Sequence, residues 1–195
     1  MPQIIEGILT TRNEDGTTNV APMGPIVRPD WTEFVFRPFP TSVTYHNLKR
    51  TGQGVFHVTD DVRLIVEAAL DLPSPEREFQ PTSRVEGEVL AQTCRWYEVE
   101  VQSIDESGQR PRMAARVVAE GRIRDFCGFN RAKHAIVEAT ILATRLHLLT
   151  RGEVDRQIAM LGVTVEKTAS PEDAEVFEIV RRFVREHVPP TPIEA

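Results

Sequence analysis

Up to Phe126 the chain alternates apolar and polar positions with the period of a strand, and beyond it the apolar positions recur with the period of a helix. Ile4 to Thr11 reads as a strand, Asn13-Glu14-Asp15-Gly16 as a turn, and Thr17 to Val27 as the returning arm of a hairpin. Pro22, Gly24 and Pro25 interrupt that second arm, because proline removes a ladder donor, so free backbone groups are expected there. A third strand, Glu33 to Arg37, follows a turn at Pro29-Asp30 and halts at Pro38-Phe39-Pro40. Thr41 or Ser42 is placed to cap a short helix through Arg50, with Tyr45 and Leu48 facing a core and Gly52 closing it. Gly54 to Thr59 reads as a buried strand, and Asp60-Asp61 as the cap of a second short helix carrying Leu64, Ile65 and Leu70.

Leu72 to Val85 holds three prolines and several charges and is expected to be a surface loop of functional length. Two long strands, Val89 to Ile104 and Arg112 to Phe126, should follow, joined at Glu106-Ser107-Gly108 and completing a set of six or seven antiparallel strands. Asn130 then caps a helix with Ala135, Ile136, Ala139, Leu142 and Leu146 on a broad apolar face. A shorter helix is expected from Glu153 to Leu161, and Ser170-Pro171-Glu172-Asp173 starts a last one, which Pro189 and Pro190 end. The pattern predicts an α+β chain, mainly antiparallel β, with a barrel first and helices last.

Composition narrows the class. With 195 residues, 41% hydrophobic and 27% charged, the chain is long enough for one ordinary core plus a small helical region, and it is neither fibrous nor disordered. A net charge of −6 argues against nucleic acid, which needs clustered cations. No stretch approaches the length of a membrane span, and Met1-Pro2-Gln3-Ile4-Ile5-Glu6 does not resemble a signal peptide, so a cytoplasmic protein without a membrane partner is expected. Cys94 and Cys127 have neither metal-ligand nor redox spacing and read as reduced structural thiols.

Candidate chemistry concentrates around Ser42. Arg37-Pro38-Phe39-Pro40-Thr41-Ser42-Val43-Thr44 puts hydroxyls at Ser42 and Thr44 in the first turn of a helix, where free N–H groups and the positive end of the dipole favour an anion, with Arg37 close in sequence. A phosphate suits this turn; plain helix capping explains one of the two hydroxyls.

On these residues the chain resembles the flavin-reductase-like FMN-binding split β-barrels. Ser42-x-Thr44-x-x-Asn47, after an extended segment ending in Arg-Pro, is similar to their phosphate-binding turn, and Asn19-Val20-Ala21-Pro22-Met23-Gly24 to the strand that passes the isoalloxazine ring. Thr10-Thr11 with Asn13, and Phe56-His57-Val58-Thr59-Asp60-Asp61, stand in the expected order. The whole chain resembles more closely a family of unknown function that adds a C-terminal helical region to this barrel. The resemblance implies an FMN-binding barrel over residues 1–127 and a helical region over 128–195, packed on the barrel or on a partner. It implies a homodimer with non-covalent FMN, held at the phosphate by Ser42, Thr44, Asn47 and Arg37. Backbone from Val20 through Ala21 and Pro22 to Met23, together with Thr11, Thr59 and Asp60, would lie near the ring. No catalytic side chain is assigned, since the flavin carries the redox chemistry.

Other signals are weaker. Gly52-Gln53-Gly54 leaves a helix for a strand, the reverse of a dinucleotide fingerprint. The five histidines show no metal-binding spacing, so no metal is expected. Arg110, Arg112, Arg116, Arg122 and Arg124 read as a charge-paired solvated hairpin or, alternatively, a docking surface for an anionic substrate. Arg131 and Lys133 oppose the dipole at a helix start, which suggests a carboxylate or phosphate partner unless the positions are simply surface. Two functions stand: an FMN-dependent oxidoreductase acting on a small molecule or a reduced nicotinamide, and a non-catalytic flavin- or ligand-binding dimeric module. A third reading is a dimeric scaffold that has lost its cofactor.

Overall fold

A hairpin opens the chain: β2 (Gly7–Arg12) and β3 (Thr18–Met23) pair antiparallel around the turn at Asn13 to Gly16. The computed structural model describes residues 3–74 and 76–188. Proline acts on β3 as its chemistry requires. The strand stops at Met23, and after Gly24-Pro25 the chain resumes as β4 (Ile26–Val27), which pairs with β1 (Gln3–Ile4) and β5 (Glu33–Phe36) instead.

Helix α1 (Val43–Thr51) follows β5, and β6 (Gln53–Val58) follows α1. Ser42 is the cap, its hydroxyl accepting from the Tyr45 N–H, and Gly52 takes the left-handed conformation (φ 67°) that ends the helix without steric cost. The long strands β9 (Arg95–Asp105) and β10 (Arg112–Arg122) complete an eight-stranded sheet in the order β1-β4-β5-β10-β9-β6-β2-β3. The count exceeds the six or seven expected because both arms of the first hairpin divide, the first into β1 and β2 and the second into β3 and β4.

Two further differences have local causes. The strand expected from Val89 divides at Ala91 to Cys94, where Thr93 turns the chain by bonding Leu90 O through both hydroxyl and N–H, so β8 (Glu88–Leu90) ends before β9 begins. The loop expected over Leu72 to Val85 contains β7 (Phe79–Pro81), which pairs with β8 as a separate two-stranded sheet.

The chain forms two compact units. The first, Met1–Asp60 with Ser74–Phe126, holds the curled sheet around a core of Leu9, Phe34, Phe36, Leu48, Phe56, Tyr97 and Met113. Phe34 lies 5.4 Å from both Phe56 and Tyr97 between ring centroids, and each fully buried Phe stabilises by about 2 to 3 kcal/mol. Close packing also reaches the backbone: a Cβ on Gly7 would sit 2.3 Å from the carbonyl oxygen of His57.

The second unit, Asp61–Pro73 with Cys127–Ala195, is helical over its described residues. Residues 61–73 of the expected barrel segment group here: α2 (Val62–Ala69), capped by Asp61, packs Val62 and Val66 with Ile136 and Ala139 of α3 (Arg131–Ala143) and Val176 and Val180 of α5 (Pro171–His187). Helix α4 (Arg151–Thr168) runs well beyond the expected Leu161 and starts earlier, at a Thr150–Glu153 capping box. Its core pattern is thin, with Val154 and Val165 its buried residues, which is why periodicity under-read it. Asn130 and Ser170 cap α3 and α5 as expected; Pro189 and Pro190 lie outside the described residues. Lys133 meets a carboxylate, Asp173, at 3.0 Å. Among the described residues no helix is long and apolar enough to cross a membrane.

Candidate functional site

Strand β3 is an edge of the eight-stranded sheet, with β2 on one side and, among the described residues, no strand on the other. Its alternation follows from one bond: the Asn13 N–H donates to Thr17 O at 2.9 Å. In an antiparallel ladder the bonded pairs then fall at Thr11 with Asn19 and at Leu9 with Ala21. Val20 and Pro22, opposite Thr10 and Ile8, turn their backbone groups outward. Proline therefore costs β3 no ladder bond, and the open edge offers the Val20 N–H and C=O and the Pro22 C=O. Val20, Ala21, Pro22 and Met23 are all half-buried.

At the Thr11 end of this edge a chain of side-chain bonds ties the hairpin to α1. Asn47 Nδ2 donates to Thr11 Oγ1 (3.1 Å) and Asn13 Oδ1 (2.7 Å), while Asn19 Nδ2 donates to Thr11 Oγ1 (3.1 Å) and Thr44 Oγ1 (3.0 Å). Two charges fix its direction. Thr17 donates to the Asp15 carboxylate (2.6 Å) and so accepts from Asn13 Nδ2 (2.9 Å), while Arg50 donates to Asn47 Oδ1 (3.4 Å). Asp15 is held below the usual carboxylate range chiefly by the Thr17 hydroxyl.

The structure thus brings Thr11, Thr44 and Asn47 together, with their side chains turned inward: they are 1%, 3% and 4% exposed. They brace α1 against β2 and β3. Ser42 also serves the local fold, donating to Phe39 O at 2.8 Å while it caps Tyr45. What faces outward at this turn is the helix end itself, whose first amides have no intrahelical acceptor, and Arg37. Arg37 is half-buried and, among the described residues, has no hydrogen bond or ion pair.

Thr59 and Asp60 lie past the opposite end of the edge, since β6 runs to Val58 beside β2 and Gly7 faces Met23. Four residues of strand separate Thr11 from Gly7, about 13 Å. Both are buried, and Asp60 is gripped by the fork of Arg124, one arm at 3.0 Å. Burial pushes up the Cys94 thiol beside this pair. The second cysteine, Cys127, is exposed, so a structural thiol describes Cys94 alone. The arginine run is largely charge-paired: Arg116 with Glu100 (3.2 Å), Arg122 with Asp125, and Arg124 with Asp60.

Asn13, Asn19 and Arg124 join the expected residues. Asn13 begins the hairpin turn and Asn19 stands opposite Thr11 just after it, a legible signal; Arg124 was visible as a member of the basic run.

Two nearby polar residues hold the walls. His57 is fully buried, its Nε2 accepting from the Leu90 N–H at 3.0 Å and its Nδ1 facing Ile8 O at 3.3 Å; desolvation lowers its pKa to about 4. Glu98, also fully buried, accepts from the Ser83 N–H (2.7 Å) and hydroxyl (3.0 Å) and from the N–H groups of Arg84 (2.6 Å) and Val85 (3.1 Å).

This curled antiparallel sheet with appended helices is the flavin-reductase-like split barrel. Over 61% of this chain and 80% of theirs it matches the styrene monooxygenase flavin reductase (SMOB) of Pseudomonas putida S12, with 17% identity and a TM-score of 0.51. Flavoredoxin of Desulfovibrio vulgaris (Miyazaki F) matches with 10% identity and a TM-score of 0.52, over 62% and 70% of the two chains. The chain belongs to the DUF447 family: the description "Protein of unknown function (DUF447) N-terminal domain" matches residues 5–124, and "Protein of unknown function (DUF447)" matches 130–182. An FMN-bound protein of Methanosarcina mazei from this family matches with 21% identity and a TM-score of 0.80, over 94% of this chain and 96% of that one. No curated protein matches the chain.

Proposed function

We propose that the chain binds FMN along the open edge of β3 and works, as a homodimer, as a flavin-dependent oxidoreductase on a small molecule or a reduced nicotinamide. The observation that carries this reading is the edge itself: the strand that the resemblance puts beside the ring is an edge strand that turns the Val20 N–H and C=O and the Pro22 C=O outward. The FMN-bound family member with the same fold over nearly the whole chain supports it.

The donor set fits the group. Val20 offers an outward N–H and C=O, matched to the mixed donor and acceptor edge of a flavin ring, and Met23 and Phe39 offer apolar contact. The α1 amides and the unpaired Arg37 suit a phosphate. Thr11, Thr44 and Asn47 act by holding that helix end at its distance from the edge, and Ser42 by keeping its first turn formed. Arg124 holds Asp60 fixed at the far end of the strand through their ion pair. When bound, FMN would supply the electron-accepting and electron-donating chemistry.

Freshly purified native protein should be yellow and release FMN on denaturation, identified by mass spectrometry, and its visible flavin band should bleach with NADH or NADPH under anaerobic conditions. Retained but unreduced flavin would select the carrier module over the oxidoreductase. Colourless protein that takes up no added FMN sinks the reading. A sharper probe is Val20→Pro, which removes one outward N–H and no ladder bond: FMN affinity should fall about tenfold, the worth of one ligand hydrogen bond, with little change in stability.

A further inference from the structure

The arginine run of the β9–β10 hairpin is not used up by the fold. Arg116 pairs with Glu100 at 3.2 Å, but among the described residues Arg110 and Arg112, both exposed, make no ion pair, and neither does Arg37. The ladder brings two of the three together. Met113 of β10 stands opposite Phe36 of β5, so the next residues out, Arg112 and Arg37, lie side by side, with Arg37 held extended by Pro38. Phe36 and Met113 are fully buried in the core, so both arginines leave from the opposite face of the sheet. Four residues along β10 the same face sets Glu33, Arg116 and Glu100 in a row of alternating sign. At Arg37 and Arg112 it sets like charge beside like, an arrangement that destabilises a strand pair.

The hairpin's own carboxylates are engaged elsewhere. Asp105, opposite Arg112 on β9, accepts from the Ser107 N–H (3.0 Å) and hydroxyl (2.6 Å) and feels Arg112 only at longer range. Glu106 accepts from Lys49 at 2.8 Å and from the Tyr45 hydroxyl. Arg110, two residues from Arg112 across the buried Pro111, lays its guanidinium on the Phe39 ring, 3.8 Å from the centroid. Phe39 is 57% exposed, and its carbonyl oxygen accepts from the N–H (3.0 Å) and hydroxyl (2.8 Å) of Ser42, which puts Arg110 beside the first turn of α1.

We propose that Arg37, Arg110 and Arg112 form one phosphate site at the end of the sheet, with Phe39 as its apolar side. Three planar forks supply more donors than the two oxygens of a carboxylate need, and they match the three oxygens and nearly double charge of a phosphate ester. An arriving phosphate draws Arg110 off Phe39, a weak contact at the surface. The phosphate belongs either to FMN, an assignment that rests on the function proposed above, or to a phosphorylated nicotinamide dinucleotide.

The full chain carrying R110A with R112A, its folding checked by circular dichroism, separates the two sources. If the cofactor supplies the phosphate, FMN affinity in a fluorescence titration falls about 10- to 100-fold, the worth of one charge-assisted bond or slightly more, while riboflavin affinity moves less than about threefold. If the dinucleotide supplies it, NADP+ binding to the FMN-loaded protein falls by that factor, and the affinities for NAD+ and FMN hold. R110K with R112K, which keeps the charge and loses the forks, should recover part of the loss. Arg116→Ala removes a guanidinium that Glu100 already holds and should shift none of these affinities by more than about threefold. A wild-type chain that takes up no flavin would sink the function proposed above and leave this site to be read with inorganic pyrophosphate in calorimetry, whose binding R110A with R112A should abolish. The site is overturned if the double variant moves neither FMN, NADP+ nor pyrophosphate, if R116A weakens them equally, or if the wild-type chain binds none of the three.

Discussion

Glu98 should be the costliest carboxylate in the sheet to neutralise. Its oxygens are fully buried and collect four donors from one short segment, Ser83 to Val85. In Glu98→Gln one oxygen becomes an amide donor. In the better orientation the NH₂ faces Ser83, whose hydroxyl can turn to accept while its N–H is orphaned; the bonds from Arg84 and Val85 survive without their charge. An orphaned buried N–H costs about 1 to 3 kcal/mol and the loss of charge assistance about 1 more, so the substitution should destabilise by about 2 to 4 kcal/mol. That is a large part of the 5 to 15 kcal/mol typical of a domain. Urea denaturation gives the total, and hydrogen exchange should show the amides of Ser83, Arg84 and Val85 opening first. Stability within about 0.5 kcal/mol of wild type, with those amides as protected as before, would refute the assignment of Glu98 as the anchor of this segment.

Three further outcomes follow from single contacts. His57 is depressed to about 4 from 6.5, so its contribution is complete above pH 6.5, declines as the unfolded imidazole takes its proton, and is lost as pH falls through 4; the drop is about 3 kcal/mol, and His57→Phe should level that part of the stability–pH curve. Gly7→Ala, which drives a Cβ to 2.3 Å from His57 O, should lower stability by about 2 kcal/mol or more and show as a lower thermal midpoint. Lys133→Ala leaves Asp173 buried without its 3.0 Å partner and should cost about 2 to 4 kcal/mol by denaturation, restored in part by Asp173→Asn in the same chain.

The parts of the fold written in local chemistry were legible in advance. Ser42, Asn130 and Ser170 cap the helices that their side chains announce, Gly52 ends α1, and the second arm divides at Gly24-Pro25; Pro22, expected to interrupt it, instead sits within β3 because its missing N–H faces outward. What depended on distant partners was not. The anchoring of residues 83–85 rests on a carboxylate more than ten positions away, and a charged residue in an apolar strand was its faint trace. Helix α4 hides its length because its inner face, Val154, Ile158, Leu161 and Val165, carries a single apolar residue after Leu161, too few to extend the pattern. At the candidate site, the resemblance selected residues that do gather along β2, β3 and α1, yet Thr44 could not be read as inward-facing, since that follows from an amide on another strand.

An uncovered strand margin is a hazard as well as an opportunity, because any extended peptide with a regular row of donors can dock against it. Pro22 limits that hazard here: it leaves the outward row with a carbonyl and no neighbouring amide, so an incoming strand finds a gap where its second bond should form. Restoring an amide there with Pro22→Thr would make the margin continuous. Such a chain should form higher oligomers on concentration, and a ligand seated along the margin should protect it.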